Sequence, residues 1–254
     1  MQLQQNQFSQ LVKPLQPNQL SQPVGPFTHM SALQSLDLSQ NSFVGCLPDN
    51  AFVGLTQITS LKLYQTGAGC ALPLSIGSMT TLQYLDLSRN SFTSIADNLF
   101  AGLTQVTVLY LYGNAFSGSL PTSIGSMTSL QQLFAFTNNF NGSLPLSWNR
   151  LTNIGYIDVH GNALTGTVPA GWSNMTSLKY VDISANQLSG PLPSAISNWP
   201  SLITLTMGNG NSFNGSFPAT YFNNMTSLQT LDMRNLNGLN GTINLSATTS
   251  LFNL

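Results

Sequence analysis

Residues 109–118 read LYLYGNAFSG, and residues 133–142, which lie 24 positions later, read LFAFTNNFNG. Both stretches keep leucine, asparagine, phenylalanine and glycine at the same offsets, within the longer pattern L-x-x-L-x-L-x-x-N-x-[FL]-x-G-x-[LIV]-P. Nine units of this pattern follow one another with spacings of 25, then six of 24, then 26 residues, and they begin at Leu33, Ile58, Leu82, Val106, Leu130, Ile154, Leu178, Leu202 and Leu228. Repeats of this length predict a solenoid in which each unit forms one turn.

The first half of each unit predicts a short β-strand. Alternate residues such as Leu109 and Leu111 are apolar, which is the period of a strand with one buried face. We expect the next asparagine to end the strand, because a carboxamide both donates and accepts hydrogen bonds and can satisfy the backbone of a tight turn. This residue recurs as Asn41, Asn90, Asn114, Asn138, Asn162 and Asn186, with Thr66 in the second unit.

The second half of each unit predicts buried columns that only stacked neighbours can cover. The first of these columns holds Phe43, Phe92, Phe116, Phe140, Leu164, Leu188, Phe213 and Leu239. A proline follows in most units and favours an extended bend. The sequence therefore predicts an α/β repeat solenoid, a right-handed superhelix with one parallel sheet on its concave face and 3-10 or irregular segments on its convex side.

The 24-residue unit resembles the plant-type leucine-rich repeat, which carries the same L-x-G-x-[IL]-P segment in ectodomains of plant receptor kinases and in polygalacturonase-inhibiting proteins. The phrase PTSIGSMTSL at residues 121–130 also resembles repeats of leucine-rich surface antigens of kinetoplastids and other protists. The resemblance covers residues 33–254, with about nine units and a truncated tenth, and leaves residues 1–32 as a degenerate N-terminal segment with one frayed repeat. It implies a non-catalytic platform for ligand binding.

Composition and motifs argue against several classes of function. Only 5% of the residues are charged and the formal net charge is −1, which does not favour binding to nucleic acid or to a membrane surface. No run of about 18 apolar residues predicts a transmembrane segment. His29 and His160 lie in different repeats with no catalytic partner nearby in sequence, and no phosphate-binding loop or metal-ligand spacing is present. We therefore expect no enzymatic activity, no cofactor and no metal.

Cys46 and Cys70 fall at nearly the same place in consecutive units. Neighbouring strands lie about 4.8 Å apart, and a disulfide needs Cα atoms about 4.4–6.8 Å apart, so a bridge is within reach. Two reduced, half-buried cysteines are the alternative, because the sequence does not fix the redox compartment.

Six N-x-[ST] sequons favour an extracellular or cell-surface location, where such asparagines can carry glycans. They are Asn141, Asn174, Asn214, Asn224, Asn240 and Asn244. Their alternative origin is sequence drift inside an asparagine-rich and threonine-rich repeat. The start of the chain lacks the apolar region of a signal peptide, and the paired-cysteine caps of the family are missing, so we expect a chain that is incomplete at both ends.

Aromatic residues concentrate in slots between and just after the strand leucines, where we expect exposed side chains. Charges concentrate there too, at Asp37, Lys62, Asp86, Arg89, Asp158, Lys179, Asp182, Asp232 and Arg234. Cross-strand packing of rings is one explanation and would contribute about 0.2–1 kcal/mol per pair. Contact with a partner is the other, since large rings dominate interface energetics. The candidate ligand-binding residues are Tyr84, Asp86, Tyr110, Tyr112, Phe134, Phe136, Tyr156, Asp158, His160, Tyr180 and Asp182.

These patterns predict a module that recognises a protein, peptide or glycan through its concave face, as part of a cell-surface receptor or adhesin. A structural surface-coat protein is one alternative, and a secreted inhibitor of a wall-degrading enzyme is another. A recognition site should break the symmetry of the repeat locally, whereas a coat should not.

Overall fold

The computed structural model of the chain describes residues 27–43, 45–217, 221–242, 245–246 and 248. Most of the degenerate segment predicted over residues 1–32, and the truncated tenth unit, lie outside these ranges. Phe27, just inside them, is buried and stacks on Phe52 with ring centroids 6.1 Å apart.

Nine three-residue strands form one parallel sheet, here called the major sheet, in which strands from consecutive units are neighbours. They are Ser35–Asp37, Ser60–Lys62, Tyr84–Asp86, Val108–Tyr110, Gln132–Phe134, Tyr156–Asp158, Tyr180–Asp182, Thr204–Thr206 and Thr230–Asp232. The central residue of each strand, a leucine, isoleucine or valine, turns into the core, and Leu109 pairs in register with Leu133. The predicted repeat solenoid with stacked parallel strands is confirmed.

The structure adds two smaller parallel ladders that the sequence did not predict. A six-stranded minor sheet contains Ser117–Ser119, Asn139–Ser143, Ala163–Gly166, Gln187–Pro191, Ser212–Ser216 and Gly238–Asn240. A two-stranded ladder pairs Gly69–Ala71 with Ser91–Ser94. Each of these strands has at most one apolar residue that faces the core, such as Phe140 in Asn139–Ser143. The alternation of apolar and polar residues was therefore too short to identify a strand.

The described residues contain five short 3-10 helices, and each one directly follows a proline. The fixed backbone angle of proline favours the first turn of a helix. The five helices span Leu74–Ser78, Thr122–Ser126, Leu146–Arg150, Ala170–Asn174 and Ser194–Asn198. The residue before each helix is Pro73, Pro121, Pro145, Pro169 or Pro193. These helices are the 3-10 segments that the sequence predicted for the second half of the unit.

The core is built from ring columns that run along the solenoid. Phe116 stacks between Phe92 and Phe140, at centroid distances of 6.1 and 5.7 Å, and all three rings are at most 1% exposed. Trp148 stacks on Trp172 at 5.9 Å. Because consecutive units place buried side chains against one another, the apolar area that one turn exposes is covered by the next turn.

The predicted asparagine ladder is confirmed. The Asn138 amide donates to the carbonyl oxygens of Ala135 in its own turn and Leu111 in the preceding one, each at 3.1 Å. Its Oδ1 atom accepts the backbone N–H of Phe116 at 3.1 Å. One carboxamide thus satisfies backbone groups of two consecutive turns, and Asn114, Asn162, Asn186 and Asn211 repeat the arrangement.

Cys46 and Cys70 are joined by a disulfide with Cα atoms 5.3 Å apart. The bridge ties the first unit to the second beside a backbone pairing of Cys46 with Gly69. A cross-link at this end of the sheet restrains the turns that have the fewest neighbours.

Candidate functional site

The aromatic slots of consecutive units lie side by side on the face of the major sheet that points away from the core. In each strand the central residue is buried and its two neighbours face outward, which places the rings in rows across the sheet. We call this surface the aromatic face, and it consists of Tyr84, Tyr110, Tyr112, Phe134, Phe136, Tyr156, His160 and Tyr180.

Three rings of the aromatic face form a continuous stack. Tyr112 and Phe136 are nearly parallel with centroids 4.6 Å apart, and Phe136 and His160 repeat this geometry at 4.8 Å. The three residues hold the same place in consecutive units, so the register of the repeat aligns their planes. The stack covers the centre of the aromatic face.

A second row of rings runs beside this stack. Tyr110 contacts Tyr84 edge to face at 5.8 Å and Phe134 at 5.2 Å. The Tyr110 hydroxyl donates a hydrogen bond to Gln132 Oε1 at 2.9 Å. Gln132 was not among the residues predicted from the sequence. The repeat spacing could have identified it, because it places the strand of Gln132 next to the strand of Tyr110.

The expectation of fully exposed rings was wrong in part. Tyr156, at 37% exposed, is open to solvent, whereas Phe134 and Phe136 are half-buried. Phe136 lies between Tyr112 and His160 of the neighbouring units, and Phe134 contacts Tyr110 and Phe136. Burial also raises the pKa of Tyr84 to about 12, with the Asp86 carboxylate as the next cause, and keeps its phenol protonated at neutral pH. The aromatic face is therefore a packed apolar surface with polar edges.

The expectation that Asp86 and Asp158 are exposed was also wrong, since they are only 8% and 5% exposed. Their carboxylates turn back and accept the backbone N–H two residues later, from Ser88 and His160. The same contact recurs at Asp37, Asp182 and Asp232. This Asp-x-x turn closes the strand end, so much of the aspartate column has a structural role.

One group breaks this pattern and joins two repeats. His160 replaces the usual serine, and its Nδ1 atom lies 2.7 Å from Asp158 Oδ1 and 3.9 Å from Asp182 Oδ2. Burial raises the pKa of Asp158 despite its hydrogen bonds to His160, and burial together with the two carboxylates raises the pKa of Tyr180. The structure thereby concentrates negative charge at one end of the aromatic face.

These side chains offer three potential metal-ligand atoms within 4.8 Å of one another. The sequence placed these three residues among the candidate ligand-binding residues but indicated no metal-ligand arrangement, because Asp182 comes from the next unit, 24 residues after Asp158. The Oδ1 atoms of both carboxylates already accept backbone N–H groups, and His160 Nδ1 is held by Asp158. The Tyr180 hydroxyl donates to Asp158 Oδ2 at 3.5 Å, so the group is arranged as a hydrogen-bonded cluster in which Asp182 Oδ2 is the more open oxygen.

The sequons lie away from the aromatic face. Asn141, Asn214 and Asn240 belong to strands of the minor sheet, Asn174 ends a 3-10 helix and Asn224 lies in a turn. All five asparagines are exposed. Asn244 is outside the described residues.

Comparison with known proteins agrees with this architecture. Profiles of the family described as Leucine rich repeat match residues 80–140, and also residues 32–52 and 177–199. No curated protein sequence matches the chain significantly. In the part of the chain that the structure describes, no helix is long and apolar enough to cross a membrane.

Several solved plant receptor structures have the same fold. The plant peptide hormone receptor RGFR1 in complex with RGF2 is 29% identical with a TM-score of 0.83, over 90% of this chain and 37% of the receptor chain. The ectodomain of the receptor kinase GASSHO1/SCHENGEN3 from Arabidopsis thaliana, in complex with CASPARIAN STRIP INTEGRITY FACTOR 2, is 33% identical with a TM-score of 0.81, over 88% of this chain and 27% of that one. The present chain thus spans well under half the length of these two receptor chains.

Proposed function

Because the chain is a leucine-rich-repeat protein, we propose that it is a non-catalytic recognition module that binds a peptide or a protein across the aromatic face. The observation that carries this proposal is a local break in repeat symmetry. Each strand from Tyr84–Asp86 to Tyr180–Asp182 holds at least one ring in an outward slot, whereas the end strands hold none; the end strands are Ser35–Asp37, Ser60–Lys62, Thr204–Thr206 and Thr230–Asp232. A uniform coat would not need rings confined to the middle.

The apolar character of the aromatic face supports the same proposal. Half-buried rings without a polar group, as at Phe134 and Phe136, leave apolar surface in contact with water, and such patches on proteins often mark interfaces. A partner that covers the rings would bury that surface and gain from it. The outward-facing sheet also offers a long, regular surface on which an extended segment can lie.

The similar structures favour a peptide as the partner. One of them is a peptide hormone receptor in complex with its ligand, and the other is an ectodomain in complex with a named factor. We therefore propose that this chain forms the ligand-binding part of a larger cell-surface receptor or adhesin. Neither of these two structures is described with a glycan partner, although the rings alone would also suit one.

An extracellular location fits the surface chemistry. The exposed sequons would place glycans on the minor sheet and on the turns, and leave the aromatic face free for a partner. The disulfide between Cys46 and Cys70 is typical of oxidising compartments. Secretion from a eukaryotic host followed by intact-mass analysis tests this part of the proposal, and a mass equal to that of the bare chain would contradict it.

The proposal is tested with the double variant Phe134→Ser and Phe136→Ser. Peptides selected on the wild-type chain from a displayed random library should lose at least about tenfold in affinity for the double variant, with its circular dichroism unchanged. The matched control is Leu74→Ser with Leu146→Ser, which removes two apolar side chains that are 53% and 62% exposed outside the aromatic face. Peptides that bind the double variant as tightly as the wild type, or unfolding of that variant, would contradict the proposal.

A further inference from the structure

Two carboxylates of like charge face each other at the end of the aromatic face. Asp158 and Asp182 are paired in register on neighbouring strands of the major sheet. Like charges directly opposite each other destabilise a sheet, and the low exposure of Asp158 strengthens their repulsion. A positive charge close to both carboxylates would offset this repulsion.

The described part of the chain provides little of that charge. Its other ion pairs lie towards the ends of the major sheet, where Lys62 contacts Asp37 and Arg234 contacts Asp232. Within ion-pair distance of the carboxylate pair, the described residues contribute only the imidazole of His160. A neutral imidazole with its proton on Nδ1 donates one hydrogen bond to Asp158 and leaves two negative charges in place.

Aromatic rings surround the carboxylate pair. Phe136 stacks on His160, and Tyr156 stacks on Tyr180 with centroids 6.5 Å apart. Ring faces attract cations, and a guanidinium group both stacks on rings and forms paired hydrogen bonds with carboxylates. A cationic side chain lying here would contact both kinds of group at once.

On the basis of the proposed peptide recognition, we infer that the partner presents an arginine or lysine side chain to the Asp158 and Asp182 pair, next to apolar residues that cover the rings. The positive charge would bind to Asp182 Oδ2, because both Oδ1 atoms accept backbone hydrogen bonds and Asp158 Oδ2 accepts a hydrogen bond from the Tyr180 hydroxyl at 3.5 Å. Asp182 is the more accessible of the two carboxylates and makes the direct contact, while Asp158 contributes its charge from beneath.

The chemistry of the cluster favours a cationic side chain over a metal ion. A metal held by all three side chains would have to displace the 2.7 Å contact between His160 Nδ1 and Asp158. A guanidinium or ammonium group leaves that contact and the strand-end hydrogen bonds in place. Burial and the neighbouring Asp182 raise the pKa of Asp158, although the contacts with His160 lower it. This raised pKa also agrees with a site that lacks a full counter-charge.

The test compares peptides selected from a displayed random library on the wild-type chain with the unselected library. We expect enrichment of arginine or lysine among the selected peptides. Their affinity should fall at least about tenfold for Asp182→Asn, which keeps an oxygen to accept the Ser184 backbone N–H. The control Asp232→Asn changes a carboxylate in the same row of the major sheet and should leave affinity unchanged.

Each other outcome has a distinct meaning. Peptides that require Phe134 and Phe136 but show no basic enrichment and tolerate Asp182→Asn would overturn this inference and leave the proposed function standing. Peptides that tolerate loss of both rings would overturn the proposed function itself. Stoichiometric calorimetric binding of Zn²⁺ alone, lost in Asp182→Asn, would overturn the inference in favour of a metal site.

Discussion

Two ring columns in this protein share a geometry and differ in environment. In the core, Phe116 and Phe140 stack at 5.7 Å with planes 18° apart, and on the aromatic face, Tyr112 and Phe136 stack at 4.6 Å with planes 8° apart. The core rings are at most 1% exposed, whereas the face rings are half-buried. The solenoid therefore stacks rings in any column that contains them, and stacking alone does not identify a binding site.

The columns also differ in how they end. Leucines continue the core column beyond Phe140, at Leu164 and Leu188, and both are fully buried. The face column instead stops at Ser88 on one side and at Ser184 on the other. A column needed for packing is continued through the repeats, whereas this continuous stack spans three units, as expected for a site, and Tyr64 recurs at the same position beyond Ser88.

The largest expected effect is a difference in the free energy of unfolding between a variant of the core column and a variant of the face column. Phe116→Ala should lower the free energy of unfolding by about 3–5 kcal/mol, because it leaves a cavity between two stacked rings in a closed core. Phe136→Ala should cost about 1 kcal/mol or less, the value of cross-strand ring pairs. Urea unfolding of both variants measures the difference, and equal losses would show that the face rings hold the fold together.

A smaller effect is expected at the turn between the two columns. Asn138→Ala leaves the carbonyl oxygens of Leu111 and Ala135 and the N–H of Phe116 without this partner, and should cost about 1–3 kcal/mol. The neighbouring exposed Asn139→Ala is the matched control, with an expected change within about 0.5 kcal/mol. Similar unfolding midpoints for the two variants would contradict the role given to the ladder.

The residue before the ladder asparagine offers a test of backbone strain. Gly161 has a φ of 64°, and a Cβ atom added there would meet its nearest neighbour, the Thr137 backbone nitrogen, at an ordinary 3.6 Å. Gly161→Ala should therefore cost about 1–2 kcal/mol through the left-handed conformation alone. Ala185→Gly, at the same repeat position with a φ of 50°, should stabilise the protein. Thermal unfolding of both variants checks that the two changes have opposite signs.

The smallest effect concerns the acidic end of the aromatic face. Burial raises the pKa of Asp158, so the folded state binds its proton more readily than the unfolded state does. Stability associated with this group is therefore present at low pH and falls as pH rises through the folded pKa. Relative to Asp158→Asn, the wild type should lose stability as the pH rises above about 4, the ordinary pKa of an aspartate carboxyl. A difference that grows in favour of the wild type over that range would contradict the assigned cause.

The sequence predicted what the repeat spacing determines. The register of Leu109 with Leu133 and the hydrogen bonds of Asn138 follow from a nearly constant unit length, because equivalent residues must be neighbours in a solenoid. The burial of Asp158 could not be predicted this way, since the pattern does not show whether a carboxylate points outward or back to its own backbone. The sequence placed Asp158, His160 and Asp182 in one candidate site, but the hydrogen bonds that join them could not be predicted because they depend on side-chain rotamers in two different turns.

The partner contact itself can be observed on side chains. Hydroxyl-radical footprinting reports the solvent access of aromatic rings, and it can be applied to the wild-type chain with and without a peptide selected on it. The core rings of Phe116 and Phe140 should stay unreactive in both samples, since they are buried.

The bound peptide should lower the oxidation of Tyr112, Phe136 and Tyr156 severalfold. Exposed residues outside the aromatic face, such as Leu146, should keep their reactivity. Unchanged oxidation of the three face rings in a sample shown to be saturated with peptide would contradict the central claim that the aromatic face is the recognition surface.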